Sequence, residues 1–527
     1  MSENVKNEIT VPISGRIDSN SAPAAEAGVR SAIAGGADNL VLDAAKLEYI
    51  SSAGLRILLR LRKEYPGLRV INVNSEIYEI LDMTGFTEMM KVEKAYRTLS
   101  VEGCEQIGRG AKGAVYRLDD ENIVKVYFDP DAIDGIRNER EMAKLALILG
   151  VPTAISYEVV RVGESYGSVF ELINARSFAQ ILALEPDAFS RCVKDFAGLL
   201  KRIHSIEVPA GKLHDIRPKA LSWVERLGDA VPSETKEKLR KLILAVPDRR
   251  TMLHGDYHPK NIMLQNGEAL VIDMDTLAFG HPIFELCSVY NALIGFYEYE
   301  NEAIEEFLGF DFDLGVRFFH AALAEYLGTS SETKLREVRD KARILSYTRL
   351  IGRSAQKGGL ETEKGRAEIA LWKKELDELL ETADTLDFSP NELEIEAETG
   401  NLPEVLSFIG EHIAPLELSE KAKMQLDLAA EEIFVNIADY AYAPGHGRAK
   451  ILVETDENAR EAVIIFSDTG RPFDPTALND PALSLPAEEK TPGGLGIFLT
   501  KKLMDGVTYE YRDGKNILKL IKKKISE

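Results

Sequence analysis

Cysteine is scarce: only Cys104, Cys192 and Cys287 occur in 527 residues. They lie far apart, so neither a disulfide framework nor a zinc-ligand spacing is present, and a reducing cytoplasm is the expected location. Long apolar runs are also missing. No stretch approaches 18 apolar residues, and the opening MSENVKNEIT is polar, so neither a membrane span nor an export signal is expected. The eight histidines are scattered and form no HExxH-like pair. Positive charge is in deficit: 64 Lys and Arg against 86 Asp and Glu leave a formal net charge of -22. That excludes a general polyanion-binding surface, and with it direct binding of nucleic acid, while leaving room for a local basic patch. The length itself implies three or four domains rather than one core.

What is present is organised around Leu253 to Asp273, LHGDYHPKNIMLQNGEALVID. Two short apolar runs, Asn261 to Leu264 and Ala269 to Ile272, read as strands joined by an Asn266-Gly267 hairpin turn. Polar residues therefore sit at strand ends. Asp256 can orient or deprotonate a hydroxyl, while Asn261 and Asp273 offer hard oxygen ligands to Mg²⁺, the arrangement that phosphoryl transfer needs. About 140 residues upstream, Gly108, Gly110 and Gly113 form GxGxxG, followed by Val115 and by the apolar run Asn122 to Val126 containing Lys125. Backbone amides of such a loop can cover phosphates, and Lys125 can hold the α and β phosphates by charge. A lysine-bearing strand, not a long helix, follows the glycines, which argues against a dinucleotide fingerprint. A helix is expected over Ile133 to Leu149, where Glu139 or Glu141, but not both, should pair with Lys125.

Together IGRGAKGAVYRL, NIVKVY, HGDYHPKNIM and VIDMD resemble the aminoglycoside phosphotransferase and choline kinase family over about 101–380. The resemblance implies a two-lobed protein-kinase-like fold. It assigns Asp256 as catalytic base, Asn261 and Asp273 as metal ligands, Lys125 as the nucleotide lysine, and Phe170 to Ile173, including Glu171, as the segment whose backbone meets adenine. His254 and His258 shape the loop rather than exchange protons.

Residues 1–98 read as a small α/β unit. Ile9, Val11 and Ile13 alternate as a strand ending at Gly15; Leu40 to Asp43 and Leu68 to Val73 are two more. A serine-capped amphipathic helix follows Ser51-Ser52, and another helix lies around Ser75 to Leu81. With no nucleotide loop, this unit is a binding module by its own chemistry. The segments SGRIDSN, LVLDAAKLEYISSAGLRILL and LDMTGF resemble the STAS domain of sulfate transporter tails and anti-sigma factor antagonists. That family carries a phosphoacceptor serine at the position of Ser52; this chain has Ser51 where the family usually has aspartate.

The acidic stretch 381–399 reads as a connection that can include the first strand of the next unit, 400–527. A helix begins at Leu418-Ser419-Glu420 and aligns Glu432 with Asn436, four apart. A strand over Val463 to Phe466 leads to Asp468-Thr469-Gly470, and Gly493-Gly494-Leu495-Gly496 opens a helix. Asp468 could accept from the adenine amino group, the glycines admit phosphate, Asn436 could hold Mg²⁺, and Glu432 could act as general base. EEIFVNIADYAY, FSDTGRPFDP and GGLGIFLTKKLMD resemble the histidine kinase-like ATPases of the anti-sigma serine kinase type. The resemblance assigns Glu432 as base, Asn436 to magnesium, Asp468 and Gly470 to the adenine side, and Gly494 and Gly496 to the phosphate side. The segment Pro475 to Pro492 is expected as a lid.

The expected fold class is multidomain α/β and α+β: a STAS-like α/β domain, a two-lobed phosphotransferase and a C-terminal GHKL-type α/β sandwich. The leading function is a partner-switching signalling protein with ATP and Mg²⁺ as cofactors, transferring phosphate to a protein serine, with Ser52 as candidate acceptor. Its expected partners are an anti-sigma factor, a sigma factor or its own antagonist domain, with an unknown small molecule for the middle domain. The alternatives are a small-molecule hydroxyl phosphotransferase with regulatory flanks, and a nucleotide-sensing scaffold without turnover.

Overall fold

Alternating strand and helix set the first hundred residues. The computed structural model describes residues 8–110, 112–130, 132–154, 156–172, 175–456, 461–477 and 494–523. Strands β1 (Glu8–Ile17), β2 (Asn39–Ile50), β3 (Arg69–Val73) and β4 (Lys91–Lys94) form a parallel sheet in the order β1-β2-β3-β4. β1 does not end at Gly15; it runs on to Ile17 through two register shifts against β2, which is itself longer than the apolar run Leu40 to Leu42 suggested. Helix Ser52–Glu64 lays Ile57, Leu58 and Leu61 into this core, the i, i+1, i+4 pattern of one apolar face. Its N-cap is Ser51, whose hydroxyl accepts from Ala53 N at 3.2 Å, so Ser52 is the first helical residue and is exposed.

These residues belong to one structural unit together with the lobe carrying the glycine loop; the unit comprises Met1–Arg137 and Ile155–Leu172. The second sheet contains β5 (Arg97–Thr98), β6 (Gln106–Arg109), β7 (Gly113–Arg117), β8 (Asn122–Tyr127), β9 (Glu158–Val162) and β10 (Ser165–Glu171), in the order β5-β9-β10-β8-β7-β6. β5 lies parallel to β9, so the chain leaving the first module becomes the edge strand of the lobe. Tyr96 then turns inward: its ring meets Tyr166 edge-on at 5.3 Å, and its hydroxyl accepts from Arg137 at 2.6 Å.

The other unit comprises Asn138–Ala154 and Ile173–Glu527. Its larger core is helical, built from Phe189–His204, Phe312–Leu327, Glu332–Gln356 and Glu363–Thr382 around the hairpin Ile262–Gln265 and Glu268–Val271. Asn266 and Gly267 at the hairpin turn both have positive φ, 50° and 88°, as a two-residue turn of this kind requires. The stretch expected as a connection is anchored at both ends. Leu386 and Phe388 are buried in the helical core, and Glu392–Glu396 is an edge strand of the last sheet.

That sheet is antiparallel, in the order Glu392–Glu396, Arg448–Asp456, Glu461–Asp468, Lys515–Lys523, Gly506–Arg512. Helices Leu402–Ile413 and Glu420–Asn436 pack their apolar faces on it. Helix Leu402–Ile413 also reaches back to the N-terminus of Glu332–Gln356. Glu404 accepts from Ser331 Oγ at 2.6 Å and Thr333 N at 3.0 Å, while Glu411 accepts from Thr329 Oγ1 at 2.6 Å and Ser330 N at 3.2 Å. Two carboxylates at a helix N-terminus satisfy orphan donors and complement its dipole.

Candidate active sites

In the glycine-loop lobe, the hairpin is closed by Gly110 N donating to Gly113 O at 2.9 Å. Gly113 is sterically required: a Cβ there would stand 2.3 Å from the Val126 carbonyl oxygen. Lys125 sits on β8 between Val115 and Ser168, with Nζ 5.4 Å from the Tyr127 ring centroid. Gly108 lies on β6 and Glu171 ends β10 opposite Asn122. Ile173 lies outside the described residues. Of the two glutamates expected to compete for Lys125, Glu141 pairs with Lys144 at 2.9 Å.

The loop around Asp256 is braced from every side. His254 is buried and uses both ring nitrogens: Nδ1 accepts from Asp256 N at 3.3 Å, and Nε2 donates to the Ile272 carbonyl at 3.0 Å. It therefore ties the loop to the strand leading into Asp273, the shaping role expected from sequence. Asn261 Nδ2 donates to the Asp256 carbonyl at 3.0 Å, leaving its amide oxygen as an acceptor, and Asn261 O accepts from Ile272 N at 2.9 Å. Asp273 adopts the left-handed conformation, φ 61°, which Asp tolerates better than most residues. The structure thus brings Asp256, Asn261 and Asp273 to one short hairpin. Burial resists ionisation of Asp256, but the hydrogen bond and charge of His258, with His254 and Arg349, outweigh it and hold the carboxyl down at about 2.

Sequence reasoning passed over Glu285. Its carboxylate is fully buried and accepts from His254 N at 2.5 Å and Gly255 N at 3.0 Å, so it is the floor on which the Asp256 loop rests. Burial pushes its carboxyl up to about 7 despite those donors. The available signal was one acid in the otherwise apolar string Ile283–Tyr290.

In the last sheet, Asp468 ends strand Glu461–Asp468 and is 8% exposed. Its Oδ1 accepts from Gly470 N and from Asn516 Nδ2, both at 2.8 Å. Burial raises its pKa against these two donors. Asn516 is the second residue that sequence reasoning missed. It also donates to Arg471 O at 3.1 Å and accepts from Tyr509 OH at 2.7 Å, latching the loop after Asp468 to the neighbouring strand. Gly470 lies against the Ala441 carbonyl, where the π-helical turn Ile437–Ala441 ends the Glu432 helix, and Arg471 N donates to that carbonyl at 2.8 Å.

Glu432 and Asn436 share one helix face, and Asn436 Nδ2 donates to the Glu432 carbonyl at 2.6 Å, again leaving the amide oxygen as an acceptor. Gly496 packs directly on the Glu432 carboxylate; a Cβ at 496 would fall 1.8 Å from Oε2. Gly494 opens helix Gly494–Leu503. Gly493, and most of the expected lid, lie outside the described residues. Among the described residues no cluster of three His, Cys, Asp or Glu side chains could hold a metal by itself. The amide oxygens of Asn261 and Asn436 and the Asp273 carboxylate are hard donors suited to a cation that keeps other ligands from phosphate and water.

With this geometry established, three family models match in order: the STAS domain over 2–100, the phosphotransferase enzyme family over 103–326, and the histidine kinase-like ATPase domain over 395–522. Serine/threonine-protein kinase BtrW of Bordetella bronchiseptica (strain ATCC BAA-588 / NCTC 13252 / RB50) is 35% identical over 111 residues, 21% of this chain and 78% of the relative. The chain belongs to the histidine kinase-like ATPase family. The ATPase unit is preceded by a phosphotransferase and a STAS domain, so the protein is an ATP-dependent phosphotransferase built from three modules. Among solved structures, aminoglycoside phosphotransferase APH(2'')-Ib with ADP is 16% identical, covering 59% of this chain and 98% of that chain at a TM-score of 0.36. A streptomycin-ATP complex of APH(2'')-IIa is also 16% identical, covering 59% and 99% at 0.37. No helix among the described residues is long and apolar enough to cross a membrane.

Proposed function

We propose that this chain is a partner-switching kinase, in which the ATPase unit transfers the γ-phosphoryl group of ATP to a serine hydroxyl of an antagonist-type domain. The acceptor is Ser52, in its own chain or another copy, or the equivalent serine of a separate partner; an anti-sigma factor or sigma factor would then read the outcome. The carrying observation is the Asp468–Asn516 latch placed beside the Glu432–Asn436 face. Asn516 holds Asp468 in place, Asn436 presents an oxygen, and Gly496, lacking a side chain, lies against the Glu432 carboxylate; Asp468 would then accept from the adenine amino group. In the transfer, the serine oxygen bonds to the γ-phosphorus, the bond to the β-bridging oxygen breaks, ADP leaves, and the hydroxyl proton passes to Glu432. Mg²⁺, held through Asn436, would neutralise phosphate charge when bound. The similarity to BtrW, a serine/threonine-protein kinase, supports the choice of a protein hydroxyl.

The middle site supports a second phosphotransferase activity toward a small hydroxyl compound, favoured by the fully braced Asp256 loop over a merely structural hairpin. There Asp256 orients the hydroxyl, and Asn261 and Asp273 supply the oxygens for Mg²⁺. Incubating the whole protein with labelled ATP and locating phosphate by peptide mass spectrometry tests the leading reading. Label on Ser52 that disappears in Glu432→Ala and persists in Asp256→Ala is the expected result. Label on Ser52 that survives Glu432→Ala refutes the assignment of the ATPase unit as its kinase.

A further inference from the structure

Beside the Asp256 loop lies a set of cations whose part so far is only the charge that Arg349 lends to Asp256. Arg349, on helix Glu332–Gln356, donates from Nη1 to Ser288 Oγ at 2.9 Å, and Ser288 Oγ donates to the Gly255 carbonyl at 3.3 Å. Arg349 is therefore two hydrogen bonds from the residue preceding Asp256. Its guanidinium also lies 5.5 Å from the Trp223 ring centroid. One turn before Trp223 on helix Arg217–Glu225 is Lys219, on the same face. The two helices meet closely at Gly352, where a Cβ would stand 2.9 Å from Trp223 O and 3.2 Å from Arg226 Cβ. One turn along from Arg349, Arg353 stacks on Phe296 with its guanidinium 4.9 Å from the ring centroid. Aromatic rings thus hold two guanidinium groups in a row along one helix.

Among the described residues, Lys219, Arg226, Arg349 and Arg353 form no ion pair within 4.0 Å. The acids facing the set are Asp256, already paired with His258, and Glu285, beneath the loop and satisfied by backbone donors. Burial, and then the charge of Arg349 with that of Arg226, lowers the pKa of Lys219; Asp256 and Glu285 pull the other way. Lys219 and Arg349 thus act on one another with only Asp256 and Glu285 offsetting them, so an anion entering beside the pair would gain from both charges.

We infer that the acceptor of the middle site is an anion: a small hydroxyl compound bearing a carboxylate or phosphate, gripped by Lys219 and Arg349 so that its hydroxyl meets Asp256. The inference rests on the reading of Asp256 as the transfer site. Its acceptor oxygen would bond to the γ-phosphorus as the β–γ bridge breaks, ADP would leave, and the hydroxyl proton would pass by way of Asp256 to water. A polycationic amino sugar is repelled by the same residues. The cluster selects by charge and leaves recognition of the carbon skeleton to other groups.

The test has a binding arm and a turnover arm, both on the full chain. With ADP saturating the nucleotide sites, sulfate and glucuronate are titrated while Trp223 fluorescence is followed. Saturable binding that weakens at least tenfold in Lys219→Glu, with the melting temperature unchanged, is expected; binding indifferent to Lys219→Glu, or none, overturns the inference. For turnover, glucuronate, glucose 6-phosphate, glucose and glucosamine are offered with Mg-ATP and products are identified by mass. Phosphorylated product from a carboxylate or phosphate arm, with kcat/KM at least tenfold above glucose, is expected, and Lys219→Ala should raise KM for that acceptor tenfold with KM for ATP unchanged. A preference for glucosamine, or an effect of Lys219→Ala on ATP alone, overturns the anionic acceptor but leaves Asp256 in its role. Product that forms equally well in Asp256→Ala overturns the underlying reading instead.

Discussion

Two aspartates, one at each of the two candidate nucleotide sites, are treated in opposite ways by the same chain. Asp256 has its side chain 48% exposed, and His258 at 3.6 Å helps hold it ionised with its pKa near 2. Asp468 is buried, and burial drives its pKa upward against only two donors, Gly470 and Asn516. The difference suits the role proposed for each. A group that orients an incoming hydroxyl beside phosphate must stay charged and reachable. A group that recognises a flat, neutral base benefits from a dry, fixed position, where one well-aimed hydrogen bond discriminates strongly.

The comparison can be broken most forcefully at Asp256. Asp256→Ala should slow transfer at the middle site by about 10² to 10⁴, the range for a positioned acid-base group, while ATP consumption by the terminal unit is unchanged. Parallel assays of the two activities decide it, and an equal loss at both would mean that the sites are not independent. The counterpart at the terminal site is Gly496→Ala, whose methyl group must displace Glu432. Shifting a reacting group by about 1 Å can cost about 10² in rate, so label on the protein acceptor should fall by that order with the middle site intact.

Glu285 sharpens the contrast through pH. Its folded pKa, about 7, lies above the ordinary 4.5, so the folded state holds the proton that the unfolded state has released between those values. Stability of the helical core should therefore fall as pH rises from about 4.5 to about 7, by up to about 3 kcal/mol, and Glu285→Gln should flatten that slope in thermal melts at pH 5 and pH 8. Asn516→Ala should weaken ATP binding at the terminal site about tenfold, since it leaves buried Asp468 with one donor; calorimetry reads the change. The smallest effect belongs to the first module. Ser51→Ala removes the helix cap and should cost about 1 kcal/mol, whereas Ser52→Ala should leave denaturant midpoints unchanged while removing the proposed acceptor.

Much of this architecture was legible because the decisive residues are close in sequence. The spacing from Asp256 to Asn261, the hairpin turn at Asn266-Gly267, and the i, i+4 pair Glu432 and Asn436 are each set by local geometry, which a sequence displays directly. Glu285 and Asn516 were not legible in the same way. Each acts on a residue about 30 or more positions distant, across packing that only the folded chain defines: 31 positions from His254 to Glu285, 48 from Asp468 to Asn516. Both leave the same faint trace, a polar residue in a string otherwise built for burial. The split of the serine pair was hidden for another reason. Either Ser51 or Ser52 can cap a helix, and only the backbone shows that Ser51 does, which leaves Ser52 exposed.

The clasp that Glu404 and Glu411 make on the start of helix Glu332–Gln356 turns that helix into a lever arm. At 1.5 Å per residue, Arg349 lies roughly 25 Å along the rod from the clasp, so a tilt of about five degrees at the ATPase end would carry its guanidinium about 2 Å.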